Sequence, residues 1–180
     1  AGRPVPASAA RLDRAVPWVP YLETELAFRM DVLAAFMSLI VLGVGALVLA
    51  YCARYFREHE PRNAVFGGQL LAFAGAMFGL VTTDDLMVLY TFWEITSVLS
   101  FLLIGYSGHR IFARRSAITA LIVTTFGGLA MLAGLIMLAH FAGSWRISGV
   151  LEAAPALMAD AGLRGLLEVA VALVLIGALT

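Results

Sequence analysis

Apolar residues run in long blocks along this chain, and most ionisable residues fall in the short gaps between them. A helix rising about 1.5 Å per residue needs roughly 20 apolar residues to cross a hydrocarbon core of about 30 Å. On that ruler the pattern predicts five helical spans, at about 32–56, 64–81, 86–106, 117–141 and 163–180. The first and fourth are comfortably long. The second is short and glycine-rich, and its Gly75 and Gly79 form a GxxxG pair suited to close approach of a neighbouring backbone. The last is interrupted by Arg164 and Glu168 and reaches Thr180 without a closing polar loop, so the chain is expected to be a piece of a longer polypeptide.

Residues 1–30 follow another pattern. Pro4, Pro6, Pro17 and Pro20 favour extended or turn structure over helix, and Tyr21 to Phe28 fits either a short strand or an interfacial segment. No long apolar core is present there, so this stretch is not expected to be a secretory signal. Between the fourth and fifth spans a short surface helix is predicted over about 148–160, with Ser148 at its N-cap and Gly162 available at its end. Pro155 argues against that helix.

Composition turns the pattern into a fold class. The chain is 62% hydrophobic and 13% charged, with a mean hydropathy of +0.93, which predicts an all-α membrane protein, a polytopic transmembrane helix bundle. The formal net charge is zero, and no basic surface suggests nucleic acid. All 12 cationic residues are arginines, so a titratable ammonium is not available from these side chains. The single cysteine, Cys52, cannot form an internal disulfide or a cysteine metal cluster.

The arginines also orient the bundle. Arg54, Arg57 and Arg62 close the first span and Arg110, Arg114 and Arg115 the third, whereas the turn Thr82-Thr83-Asp84-Asp85 has no cation. Since cytoplasmic loops retain positive charge, the arginine loops are expected inside. Residues 1–30 and 142–162 are then external.

Within Leu86 to Tyr106, 21 residues, Glu94 is the only charged side chain. A carboxylate near mid-membrane costs at least a few kcal/mol, which makes Glu94 the leading functional candidate. Tyr90, Thr91 and Ser97 share its helical stripe and are expected to offer hydroxyls to it. Desolvation favours the protonated acid and a cationic partner the carboxylate, so a glutamate exposed to both can take up and release a proton. The alternative role is a paired or neutral glutamate that only holds helices together.

Asp84 and Asp85 stand where carboxylates cap a helix N-terminus, with a proton or cation entrance as the second reading. Asp31 begins the first span and is expected to pair with Arg29 at the interface. Glu168 lies about one and a half turns into the last span, its role open. His140 and His109 are tempting metal or haem ligands, but the topology puts them on opposite sides of the membrane. His59, between Glu58 and Glu60, reads as a solvated loop residue. With no GxGxxG, CxxC or phosphate loop, no cofactor or metal is predicted.

From Asp84 to Gly105 the sequence DDLMVLYTFWEITSVLSFLLIG resembles the large antiporter-like subunits shared by Mrp-type cation/proton antiporters and respiratory complex I. The form FWE-x-TS-x-x-SFLLIG is most similar to the large subunit of the Mrp type. Trp18-Val19-Pro20, Phe28-Arg29-Met30-Asp31 and Phe78-Gly79-Leu80-Val81 are also similar to that family. The resemblance implies that residues from 64 onward open the first of two inverted repeats, within a complex of several subunits in the membrane lipid. It implies that Glu94 is the intramembrane glutamate that pairs with a lysine on a broken helix, expected just beyond Thr180. Proton transfer there would be coupled to exit of Na+ or K+ across a bacterial inner membrane, by a transporter subunit rather than an enzyme. The related alternative is the proton-pumping membrane subunit of complex I or a membrane hydrogenase. A third possibility is a non-transporting membrane scaffold.

Overall fold

The computed structural model describes residues 12–19, 24–55, 61–107 and 111–180. Two strands, β1 (Leu12–Val19) and β2 (Thr24–Met30), pair antiparallel, with Leu12 opposite Met30 and an irregularity between Pro17 and Val19. Proline cannot donate to a sheet ladder, and Pro17 sits at that irregular end. Six α-helices follow among the described residues: α1 (Val32–Tyr55), α2 (Pro61–Thr82), α3 (Leu86–Ile104), α4 (Ile111–Ala142), α5 (Ile147–Ala159) and α6 (Ala161–Leu179). All but α5 are long and apolar enough to cross a membrane.

The helix limits depart from hydropathy where polar residues carry helix past the apolar block. Helix α4 has 32 residues and begins well before 117, taking in Arg114 and Arg115. At about 1.5 Å per residue it is roughly 48 Å long, more than a hydrocarbon core of about 30 Å. Helix α2 starts at Pro61, a position where the ring pre-sets the backbone and no N–H is missed. Beyond α3 a 3-10 turn covers Gly105–Ser107.

Capping corrects three local expectations. Arg146, not Ser148, is the N-cap of α5, and it makes no side-chain cap bond; Ser148 lies inside the first turn. Gly162 falls within α6, where its N–H donates to Asp160 Oδ1 at 2.8 Å. Pro155 is accommodated inside α5. Asp31 accepts from the Ala34 N–H at 2.8 Å and caps α1, while Arg29 turns to Asp84 at 4.0 Å. A cap that satisfies an orphan N–H outweighs a surface ion pair.

Consecutive helices α1 to α4 pack against one another, and α6 packs on α4. Close approach rests on small residues. Gly134 faces the Ala170 carbonyl and Val174, and seven residues earlier the Gly127 carbonyl lies against Gly177, so the α4–α6 contact repeats every two turns. Of the GxxxG pair, Gly79 receives the Phe92 ring of α3, an aromatic side chain and not a backbone; Gly75 has no neighbour within 4 Å. A buried cluster of Leu86, Met131, Leu135 and Ala139 fills the space between α3 and α4, with Tyr90, Trp93, Ile147 and Val174 against it.

One end of the bundle is cross-braced. The Asp84 N–H donates to the Ala27 carbonyl at 2.8 Å, and Phe28 and Thr83 form a bridge, so the α2–α3 turn lies beside β2. On its other side Asp85 bridges Arg146, and Leu86 N–H donates to the Trp145 carbonyl at 2.9 Å. The hairpin, the turn and the start of α5 therefore share one side. At the other end Phe66 packs against Tyr106 with ring centroids 4.7 Å apart and the rings tilted by 57°.

Candidate functional site

Glu94 stands near the middle of α3, eight residues from Leu86, about 12 Å along the axis. It is half-buried, and its carboxylate rests on α4 at Gly128, where an added Cβ would run into Oε1. One turn before it, the Tyr90 phenol donates a hydrogen bond to the carboxylate. That i, i+4 spacing stacks the two side chains on one helix face.

The other expected hydroxyls turn elsewhere. Thr91 donates to the Met87 carbonyl at 2.8 Å and Ser97 to the Trp93 carbonyl at 3.2 Å. In an apolar helix the nearest acceptor for a short hydroxyl is its own backbone one turn back, so neither proton is offered to Glu94. Tyr90 reaches it because its hydroxyl lies at the end of a long side chain.

Both aspartates of the α2–α3 turn are buried caps. Asp85 Oδ1 accepts from the Met87 and Val88 N–H groups at 2.9 and 3.0 Å. Burial pushes its carboxyl above the usual carboxylate range; those two N–H groups and Arg146 act against the rise. Asp84 reaches across to α5, where Oδ1 accepts from the Ser148 N–H at 3.0 Å and Oδ2 from its hydroxyl at 2.6 Å. Asp85 thus caps α3, whereas Asp84, expected at the same helix start, turns instead to the first turn of α5.

Glu168 and Arg164 form an i, i+4 pair at 3.3 Å, with side chains 66% and 62% exposed, away from Glu94. His140 is exposed in the last turn of α4 beside Phe141. His59 and His109 lie outside the described residues. Among the described residues no three His, Cys, Asp or Glu side chains come together.

Two residues that hydropathy passed over complete the site. Gly127 and Gly128 lie side by side on α4: Gly128 faces Glu94, and Gly127 faces Thr180 at the end of α6. The side chains of Glu94 and Thr180 thus meet consecutive residues of one helix. The available signal was a glycine doublet within a long helix, where each glycine costs up to about 1 kcal/mol relative to alanine.

The bundle is that of a multi-pass membrane protein, with Glu94 inside one of its five candidate spans. Residues 83–180 match the family described as "NADH:quinone oxidoreductase/Mrp antiporter, TM", and residues 18–66 match "NADH-Ubiquinone oxidoreductase (complex I), chain 5 N-terminus". The chain belongs to the NADH:quinone oxidoreductase/Mrp antiporter family. It is 41% identical over 177 residues to a subunit of a probable K(+)/H(+) antiporter of Rhizobium meliloti, covering 98% of this chain and 17% of that protein. With a subunit of the Na(+)/H(+) antiporter of Alkalihalophilus pseudofirmus it shares 38% over 141 residues, 78% of this chain and 18% of the relative. Among solved structures, the Mrp complex from Dietzia sp. superposes with a TM-score of 0.82 at 32% identity, over 94% of this chain and 18% of that one. The chain therefore spans less than a fifth of these relatives. Its setting is a bacterial plasma membrane.

Proposed function

We propose that this chain is part of a cation/proton antiporter subunit in which Glu94 takes up and releases the proton exchanged for Na+ or K+. One observation carries the reading: an acid at mid-span, half-buried, hydrogen-bonded to Tyr90 and set against Gly128. Such a carboxyl is costly in lipid unless it is neutral or paired, so a moving cationic partner changes its charge. The family resemblance expects that partner to be a lysine just past Thr180. Thr180 contacts Gly127, so a side chain entering there has Glu94 as a neighbour across α4.

In this reading the cross-braced end faces outside and the arginine loops face the cytoplasm, following the excess of arginine at 54–62 and 110–115. The relatives named above, one for K+ and one for Na+, support antiport and leave the cation as either. The match of residues 18–66 to a complex I chain supports a second reading, redox-driven proton pumping through the same glutamate. Exchange driven by a cation gradient without NADH separates the two.

The test is Glu94→Gln in the full-length protein within its complex, assayed in everted membrane vesicles. Loss of cation-dependent proton movement with normal assembly is expected; exchange at the wild-type level would sink the assignment.

A further inference from the structure

Gly128 needs an explanation that helix geometry does not supply. Its backbone is ordinary helix, since among the described residues the glycine with positive φ is Gly143. Alanine there would favour the helix by about 1 kcal/mol. What alanine would disturb is specific: a Cβ at 128 would strike Glu94 Oε1 and lie 3.5 Å from Glu94 Cδ and 3.9 Å from Tyr90 Cε2. These three nearest atoms all belong to the acid and its hydrogen-bond donor. Elsewhere on α4 the glycines face other things: Gly134 a carbonyl and Val174, Gly127 the side chain of Thr180.

We propose that Gly128 is a positioning residue for proton transfer: the side chain missing from α4 is the seat of the Glu94 carboxylate. The inference rests on the reading of Glu94 as the proton carrier. A methyl group at 128 presses on the free end of a flexible side chain and not on backbone, so the helices keep their packing while the acid shifts. It then leaves the place where Tyr90 meets it and where a cation arriving past Thr180 would reach it. Misplacing a reacting group by about 1 Å can cost roughly a hundredfold in rate.

The experiment uses the full-length protein in its complex, in everted vesicles, with cation-dependent proton movement followed across a pH series. Variants are Gly128→Ala, Glu94→Asp, the double variant and Glu94→Gln. Gly128→Ala is expected to assemble normally, lose exchange by about ten- to a hundredfold and shift its pH profile. Glu94→Asp draws the carboxylate back by one methylene, so exchange should be higher in the double variant than in Gly128→Ala alone. A purely structural glycine would give no such rescue. Wild-type exchange and pH profile in Gly128→Ala, with Glu94→Gln inactive, overturns the seat and leaves the role of Glu94 standing. Wild-type exchange in Glu94→Gln overturns that role and the seat with it. If Gly128→Ala fails to assemble, recovery of assembly in the double variant supports the contact, and continued failure overturns it.

Discussion

Asp84 holds the first turn of α5 across 64 residues of sequence, with Oδ1 3.0 Å from the Ser148 nitrogen and Oδ2 2.6 Å from its hydroxyl. Because the Asp84 backbone also bonds Ala27 and Ile147, one residue joins the hairpin, the α2–α3 turn and the α5 helix.

Asp84→Ala is expected to cost about 1–3 kcal/mol, the penalty of leaving the partly buried Ser148 donors unmatched. Hydrogen exchange should locate the effect in the first turn of α5, with Ser148→Ala giving a smaller change. Protection of α5 unchanged in Asp84→Ala would refute the link.

Asp85 supplies a pH prediction. Burial raises its folded pKa above the unfolded value, so the folded state binds the proton more tightly. Its contribution is most favourable below the unfolded value and declines as pH rises through the window up to the raised one. Asp85→Asn keeps the cap to Met87 and Val88 without the buried charge. Thermal stability of the purified complex at neutral pH should be equal or higher in Asp85→Asn, and lower by about 1 kcal/mol in Asp85→Ala.

The α4–α6 contact should tolerate no side chain at Gly134, since a Cβ there meets the Ala170 backbone carbonyl at 2.6 Å. Gly134→Val is expected to destabilise by about 1–3 kcal/mol or more by overpacking. Gly75→Ala, with open space around it, should be neutral or stabilising by up to about 1 kcal/mol. Detergent melting curves of both variants decide the contrast.

Tyr90→Phe removes the phenolic donor to Glu94 and keeps the ring. Exchange in vesicles should fall less than in Glu94→Gln, because the acid itself remains. Identical losses in the two variants would make Tyr90 as necessary as the carboxylate.

The spans and the lone acid were legible because both are local: hydropathy reports what a stretch of chain prefers, and one charge in an apolar run is conspicuous. Contacts at long separation were not. Ser148 is a residue type that caps helices, yet its N–H is satisfied by Asp84, and Arg29, two residues before Asp31, finds Asp84 instead. Thr91 and Ser97 lie on the right stripe, but a helical stripe gives direction and not reach, and both protons go to backbone. The glycine doublet escaped notice because the sequence marks a missing side chain without saying whose place it keeps.

Consecutive residues of a helix point about 100° apart, so α4 presents Gly127 and Gly128 to two different neighbours at one level. Turning α4 about its axis would carry both contacts round together, like adjacent teeth of one gear. A shift of the α6 end that turned α4 at Gly127 would therefore also move the seat of the carboxylate at Gly128.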